Sequence, residues 1–503
     1  MAVATRIVVK LRNGSPGEGQ KDGRERLIEA LGAAWIRLLG DFPTMIVERL
    51  IQSVTENQLN QLIKLARKRQ PKYYPPNFFN YLAVLCPRDD AEKILKRLSE
   101  FDGVEYAYIR PDDEPASPLA KLPPAPAVTA DLWSAANSTH LMNSPEGLGA
   151  TGIWQYEGAD GVGQHLIDIE LGWTLNHVDL LRAPTAGPWI SSATPTGQKY
   201  KDAPEWVGHG TSVLAIACAT YNQERLVGFV PRLASATVVG TASTSQVKLE
   251  TLADSLAYAG VLRAGLDQHL EALPGATVGG VVLIPLQVPK ANGAELKYPV
   301  EIYPETRSLI KLLTSAGITV IESAGNGSVR SGSGVNLDVA ISVGAGNKRL
   351  AVSLNRNRPS AAYEDSGAIM VGGADFDRTM PLPRRWRRLP ELNFGSRIDC
   401  YAAGKGVFTA SSAIAASGSS DTTMTIGNFD GTSAAAAIIA GGALSLLGVY
   451  EANKNAQMSP EDLRAAFRDA TLGTPVYDAN SPATAAPIGV MPDLVKIVAH
   501  KIP

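Results

Sequence analysis

Short apolar strands alternate with helices along residues 1 to about 111. The stretches RIVVKL (6–11) and TMIVERLI (44–51) are rich in β-branched residues, which favours strands. NQLNQLIKLARKRQ (57–70) repeats Leu and Ile at helical spacing, and DDAEKILKRLSEF (90–102) begins with acids, as helices commonly do. The pattern predicts a small α/β sandwich whose polar residues form no catalytic set.

The composition then changes twice. Residues 112–130 are rich in Pro and Ala and have little to bury, which is typical of a linker. From about 131 to 503, apolar strands such as VGGVVLIPLQ (278–287) alternate with longer helices such as TRSLIKLLTSAG (306–317). This alternation predicts an α/β fold with a mostly parallel sheet covered by helices on both faces. We therefore expect a small N-terminal domain (1–111), a linker (112–130) and a large domain (131–503).

Composition and charge exclude several classes of protein. Of 503 residues, 45% are hydrophobic and 19% are charged, as in ordinary globular proteins. The net charge of −2 gives no reason to expect a nucleic acid or membrane partner. The basic run RRWRR (384–388) is expected to be a solvated loop. Three cysteines, far apart and without metal-ligand spacing, are expected to be core residues.

The N-terminal stretch lacks the apolar segment of a signal peptide, and no transmembrane-type run is recognised in the sequence. These features predict a cytoplasmic protein as written, with export by another route left open.

Three stretches of the large region carry candidate chemistry. GHGTSVLAIACA (208–219) places His209 between glycines at an expected helix start. ESAGNGS (322–328) places Asn326 on a glycine-rich turn after a buried strand, and GTSAAAA places Ser433 at the beginning of a small-residue helix. A serine nucleophile, a histidine base and an oxyanion donor are parts that acyl transfer requires. Taken singly, each also has a structural reading: a histidine beside glycine, a simple turn, a capped core helix.

Taken together, these stretches resemble the motifs of the subtilisin-like serine proteases, the subtilases. HGTSVLA matches the family's His-Gly-Thr-x-Val-Ala-Gly motif, except for Leu214 and Ala215 where Ala-Gly is usual. GTSAAAA matches Gly-Thr-Ser-x-Ala-x-Pro, except that Ala437 replaces the proline. VGFVPRLA (227–234) and NFGSRIDCYAAG (393–404) resemble two further family stretches. The resemblance spans about 150 to 450 and touches no catalytic atom where it departs from the family.

The orienting acid departs from the family pattern. LIDIELGWTLNHVDL (166–180) contains Asp168 and Glu170, which alternation along a strand places on one face. The family's acid lies seven residues before the His of a His-Pro-Asp-Leu element. Here HVDL begins at His177, so counting back selects Glu170, with Asp168 as the alternative acid. Asp168 would then bond the neighbouring loop, share a proton with Glu170, or be a buried structural acid.

The resemblance implies a serine endopeptidase that acts on peptide or protein substrates and requires no cofactor for its chemistry. Ser433 would attack the carbonyl, His209 would move the proton, Glu170 would hold His209, and Asn326 would stabilise the oxyanion. The alternatives are a pseudoprotease that binds peptides or partners, for which the unusual acid is the only support, and an esterase or transacylase with the same triad.

The resemblance also implies a structural Ca²⁺ site and an inhibitory propeptide. Asp179 and Asn222 would supply side-chain oxygens to calcium, helped by carbonyls of the loop 220–226; an ion-free turn is the alternative. Residues 1–111 resemble a ferredoxin-like subtilase propeptide, which acts as an intramolecular inhibitor of a zymogen and lays its tail in the cleft. Self-cleavage is then expected within 112–131, and the alternative is a permanent accessory domain.

Overall fold

The computed structural model describes most of the chain. The described residues are 4–12, 27, 31–116, 138–181, 190–192, 204–221, 226–240, 251–266, 278–289, 295–328, 331–344, 348–360, 362–381, 385–413, 420–478 and 484–502.

The N-terminal unit is an antiparallel sheet with helices. Its elements are β1 (Ala4–Leu11), α1 (Ala33–Asp41), β2 (Ile46–Arg49), α2 (Glu56–Arg69), β3 (Tyr81–Pro87), α3 (Arg88–Ser99) and β4 (Val104–Ile109). The four strands are ordered β2-β3-β1-β4. Thr55 caps α2 in a capping box with Gln58, which satisfies backbone groups that a helix start leaves without partners. The predicted small α/β unit is therefore present.

The large region is built on one twisted central sheet. Its strands are β6 (His165–Glu170), β7 (Ile190–Ser192), β8 (Ser235–Gly240), β9 (Val281–Ile284), β12 (Thr319–Ser323), β15 (Ile369–Phe376), β16 (Trp386–Arg388) and β17 (Cys400–Ala403). The order is β16-β15-β12-β9-β6-β8-β7, and β17 also pairs with β15. Only the β15–β16 pairing is antiparallel among the described pairings of this sheet. The mostly parallel α/β fold is confirmed.

Helices connect and cover these strands, and the remaining short strands form small separate sheets. The described helices are α4 (Ala150–Ile153), α5 (Pro204–Cys218), α6 (Leu252–Arg263), α7 (Pro304–Ala316), α8 (Thr432–Lys454), α9 (Pro460–Arg468) and α10 (Leu494–Lys501). The remaining strands are β5 (Glu114–Pro115), β10 (Leu286–Pro289), β11 (Lys297–Tyr298), β13 (Ile341–Val343), β14 (Leu350–Val352), β18 (Val407–Ala410), β19 (Thr425–Phe429), β20 (Gly473–Thr474) and β21 (Met491–Pro492).

Three expectations from the sequence need correction. No transmembrane-type run was expected, yet helix α8 is long and apolar enough to cross a membrane. Its most apolar window is fully buried, so it is a core helix of this fold. The expected strand 278–287 is interrupted at Pro285, which lacks an N–H, and β10 leaves the central sheet beyond it. The basic run 384–388 is no solvated loop where it is described, since Trp386 lies buried in β16.

The N-terminal unit packs against the large region over an apolar surface. Leu62 of α2 belongs to the same buried cluster as Leu313 of α7. The Asp254 carboxylate on α6 accepts hydrogen bonds from the backbone N–H groups of Gln52 (3.0 Å) and Ser53 (2.9 Å). A buried cluster shared by both units favours a stable association, because separation would expose its apolar side chains to water.

Candidate active site

Strand β6 ends with the two carboxylates that the sequence singled out, and both are fully buried. Asp168 Oδ2 accepts a hydrogen bond of 2.8 Å from Trp173 Nε1. Glu170 Oε1 contacts His209 Nδ1, and Glu170 Oε2 accepts from the backbone N–H of Leu171 at 3.2 Å. The structure therefore brings Glu170 to the histidine and turns Asp168 toward a tryptophan of the following loop.

His209 lies inside helix α5, which begins earlier than the sequence suggested. The helix starts at Pro204, a residue suited to the first turn because its missing N–H needs no partner there. A side chain at Gly208 would meet the Ser412 carbonyl at 2.5 Å, and one at Gly210 would meet the Gly172 carbonyl at 2.2 Å. The two glycines thus allow the backbone around His209 to approach its neighbours closely.

Ser433 is the second residue of α8. Gly431 precedes the helix with φ of 96°, a conformation that favours glycine. His209 Nε2 lies 3.0 Å from Ser433 Oγ, while its Nδ1 contacts Glu170. The three side chains form one hydrogen-bonded chain, and the Phe429 ring packs edge-on against the His209 ring at 5.2 Å.

Burial shifts the protonation equilibria of this chain. Burial raises the pKa of Glu170 well above its ordinary value and lowers the pKa of His209 to about 3. For Asp168, burial and then the charge of Glu170 raise the pKa. A neutral imidazole whose Nε2 carries no proton is the form that can accept a proton from a serine hydroxyl.

Asn326 follows β12 on a turn between Gly325 and Gly327, which have φ of 88° and 60°. Its Oδ1 accepts hydrogen bonds from Thr432 N (3.0 Å) and Thr432 Oγ1 (2.8 Å). These bonds fix the amide so that Nδ2 is the remaining donor, and Nδ2 is buried without a hydrogen-bond partner. Such a donor suits an oxygen atom of a ligand.

A segment that follows the N-terminal unit, residues 114–116, lies between β10 and Ser433. We call the space that it occupies the groove. Strand β5 pairs antiparallel with β10, placing Glu114 opposite Gln287 and Pro115 opposite Leu286. The backbone N–H of Ala116 donates to Pro285 O at 3.0 Å, and the Ala116 carbonyl accepts from the Ser433 N–H at 3.0 Å. The start of the expected linker is therefore bound as a strand. Its residues 117–130 lie outside the described part of the chain.

Of the two side chains expected to bind calcium, the structure describes only Asp179. Asp179 is fully buried, with Oδ2 3.4 Å from His177 Nδ1, and its carbonyl accepts from Thr220 N at 2.9 Å. Asn222 lies outside the described residues. Within the described residues, no cluster of three or more His, Cys, Asp or Glu could hold a metal ion. Because Asn222 and part of the loop 220–226 lie outside the described residues, the calcium site stays a prediction.

Sequence reasoning missed three residues of this region. Trp173, which bonds Asp168, and Thr432, which orients Asn326, were read only as parts of motifs. Lys297 belongs to none of the motifs, and β11 brings it to the edge of the groove. A groove residue of this kind has no local sequence signal, because its position depends on strand pairing.

A serine, a histidine and a carboxylate in hydrogen-bond sequence on a helix-covered parallel sheet have the arrangement that serine hydrolases use. The model of the subtilase family matches residues 176–486, more than half of the chain. The chain therefore belongs to the subtilase family of serine peptidases, and the resemblance noted from the motifs is confirmed.

Other comparisons are more distant. No curated protein matches the chain. Among solved structures, fervidolysin from Fervidobacterium pennivorans, a keratinolytic enzyme related to subtilisin, is similar with a TM-score of 0.48 and 13% identity. The match covers 100% of this chain and 62% of fervidolysin. A protease from Pseudoalteromonas arctica has a TM-score of 0.45 and 17% identity, over 74% of this chain and 99% of its own.

Proposed function

We propose that this protein is a serine endopeptidase whose triad is Ser433, His209 and Glu170. The Ser433 hydroxyl gives its proton to His209 Nε2, 3.0 Å away, as its oxygen attacks the peptide carbonyl. Glu170, in contact with Nδ1, holds the imidazole in the tautomer that leaves Nε2 as the acceptor and stabilises the imidazolium that forms. His209 then protonates the leaving amine, and water repeats the sequence to release the acyl group.

The observation that carries the proposal is the Ala116 carbonyl on the Ser433 N–H. That N–H and Asn326 Nδ2 are the proposed donors to the oxyanion. Removing one such donor costs about 3–4 kcal/mol of transition-state stabilisation, a value measured in a subtilisin. A carbonyl at this donor, in a strand paired with β10, has the arrangement expected of the residue whose peptide bond is cut.

The N-terminal unit is then an intramolecular inhibitor, and we propose self-cleavage between Ala116 and Ser117. The groove is filled by the chain's own segment, so another peptide could enter only after that segment leaves. Arg110 supports this docking, since its guanidinium bonds Asp113 at 2.7 Å and Glu305 of the large region at 3.1 Å. A retained accessory domain remains the alternative, and the shared apolar cluster favours slow release.

A fluorophosphonate probe and N-terminal sequencing test this function together. We expect the probe to label Ser433 once the groove is free, and the purified protein to show a new N-terminus at Ser117. Ser433→Ala should abolish both. Ser445→Ala is the matched control, because Ser445 lies in the same helix about 18 Å further along and donates to the Ala159 carbonyl. Labelling that persists in Ser433→Ala would contradict the proposal.

The same experiment addresses the two alternatives. A folded protein that neither labels nor cleaves, but binds added peptides, would be a pseudoprotease. A protein that labels and hydrolyses ester substrates but no peptide would be an esterase with the same triad.

A further inference from the structure

The Glu114 side chain is held by two residues of the large region. Lys297 Nζ lies 2.8 Å from its carboxylate, and Gln287 Nε2 donates to Glu114 Oε1 at 3.0 Å. Glu114 is the third residue before the proposed cleavage point, counting Ala116 as the first. A lysine and an amide N–H directed at one carboxylate give charge-assisted hydrogen bonds, which are stronger than neutral ones.

The orientation of Gln287 is set by the protein itself. Its Oε1 accepts a hydrogen bond of 2.9 Å from the backbone N–H of Asn326. Because the oxygen of the amide is engaged there, its NH₂ group is the side that faces Glu114. The groove therefore offers a donor at this point, and Gln287 is itself buried.

The backbone of Lys297 is also held by hydrogen bonds. Its backbone N–H donates to Gly327 O at 2.8 Å, and its carbonyl accepts from Asn393 Nδ2 at 2.9 Å. It also pairs with Pro289 in the β10–β11 ladder. The base of this long side chain is therefore anchored beside the turn that carries Asn326, and its ammonium group reaches over the groove.

Asp113, the neighbouring acid, is held differently. Its partner is Arg110 of the N-terminal unit, at 2.7 Å, and both side chains are buried. That contact disappears with the N-terminal unit, whereas the contacts of Glu114 belong to the groove and remain for any later peptide. The contacts of Glu114 therefore indicate which side chain the groove binds, whereas the contact of Asp113 belongs to the docking of the N-terminal unit.

From these contacts we infer that Lys297 and Gln287 form a specificity subsite for an acidic side chain at the third position before the cut bond. The inference rests on the proposed peptidase function and extends it to a substrate class: peptides with Glu at that position and a small residue at the first. A basic side chain there would meet the Lys297 ammonium and the Gln287 NH₂ group, both of which repel it.

A peptide series tests the subsite in the active enzyme. Peptides with the sequence of residues 111–121 would carry Glu, Gln or Lys at position 114. We expect kcat/KM to fall about tenfold from Glu to Gln, and further for Lys, because a charge-assisted bond is lost and then replaced by repulsion. Lys297→Glu should invert the preference between Glu and Lys. A peptide with Asp113→Asn is the matched control and should lose less than about threefold. Equal rates for all peptides would overturn the inference while leaving the peptidase function intact.

A second measurement does not need activity. In full-length Ser433→Ala protein, hydrogen exchange of the Glu114 and Ala116 amides reports how firmly the segment is bound. Glu114→Lys and Lys297→Glu should each accelerate that exchange about tenfold, and the double reversal should restore most of the protection. Lys93→Glu, an exposed lysine of the N-terminal unit, should change nothing.

The two measurements separate the two ideas. Restored protection in the double reversal, with no peptide hydrolysed, would sustain the acidic subsite and reject the peptidase. Peptide hydrolysis with no restoration and no preference would do the reverse.

Discussion

Two clusters of buried charge in this protein are built on opposite principles. At the end of β6, Asp168 and Glu170 are fully buried, and no lysine or arginine of the described chain pairs with either. Elsewhere in the core, the Arg397 guanidinium lies 2.6 Å from Glu301 and 2.8 Å from Asp399, with all three side chains fully buried.

The pKa values of these acids move in opposite directions. Burial raises the pKa of Glu170 and Asp168, since nothing positive compensates it. Burial acts on Glu301 and Asp399 as well, but the arginines beside them outweigh it and lower their pKa values. Glu322, 3.6 Å from Arg397, keeps a raised pKa because burial and the charge of Glu301 outweigh the arginine there. A compensated cluster serves the fold, whereas uncompensated buried acids cost stability and persist in proteins mainly where chemistry needs them.

The largest expected effect is the loss of turnover when Glu170 is replaced. Glu170→Gln keeps the shape of the side chain but cannot stabilise the imidazolium, and it can hold the wrong tautomer. We expect turnover on peptides, and the rate of self-cleavage, to fall about ten-thousandfold. Folding should be checked by circular dichroism. A variant that stays folded and retains more than a tenth of the activity would show that Glu170 does not orient His209.

Arg397 should matter for stability and not directly for chemistry. Arg397→Met leaves Glu301 buried without its arginine and removes one of the four arginines around Asp399, so we expect the free energy of unfolding to fall by about 3–5 kcal/mol. Denaturant unfolding in the Ser433→Ala background would measure it. The control is Arg232→Met, whose exposed pair with Asp160 should contribute less than about 1 kcal/mol. A small loss for both variants would mean that the buried cluster tolerates an uncompensated charge.

The sequence indicated the first cluster and not the second. Asp168 and Glu170 lie two residues apart in an apolar strand, and spacing to HVDL selected Glu170, whose carboxylate the structure brings to His209. Its catalytic role stays a prediction. The partners of Arg397 come from separate elements, including Glu301 and Glu322, and no local pattern connects them.

The fold itself was predictable because strand and helix periodicities are local. What the sequence did not predict depends on three-dimensional pairing. Pro285 divides the apolar run 278–287 into two strands in different sheets, a break that the apolar pattern alone does not show. The family resemblance predicted a tail in the cleft, but not which of its residues pair with β10, nor that the Ala116 carbonyl meets the Ser433 N–H.

A third prediction concerns the pH dependence of turnover. In the proposed mechanism, the active form has Glu170 ionised and His209 neutral. Burial lowers the pKa of His209 to about 3 and raises that of Glu170 above 4.5, so the proton that blocks activity leaves from Glu170. We expect kcat/KM to rise with pH over a range above 4.5. An acid limb at or below that value, in protein shown to be folded throughout, would contradict a raised Glu170 pKa.

The smallest effect should come from Asp168→Asn, which leaves the acceptor for Trp173 in place. We expect turnover within about tenfold of wild type and a stability change near 1 kcal/mol at pH 4. The pH dependence of that change is the sharper test. Because the pKa of Asp168 is raised above 3.8 in the folded protein, its stabilising contribution is present below 3.8 and is lost as pH rises through the folded pKa. Asparagine cannot ionise, so the variant should lose less stability than its parent between pH 4 and 8.

Asp399→Asn supplies the opposite case for the same unfolding measurement. The pKa of Asp399 is lowered below 3.8, so its contribution is present above 3.8 and is lost as pH falls through the folded pKa. That variant should therefore be least stable relative to its parent near neutral pH, and the difference should shrink in acid. Asp168→Asn should instead improve relative to its parent as pH rises, when both are compared in the Ser433→Ala background. Parallel stability curves for Asp168→Asn and its parent would mean that Asp168 is ionised in both states, and that the two clusters do not differ in the way their geometry indicates.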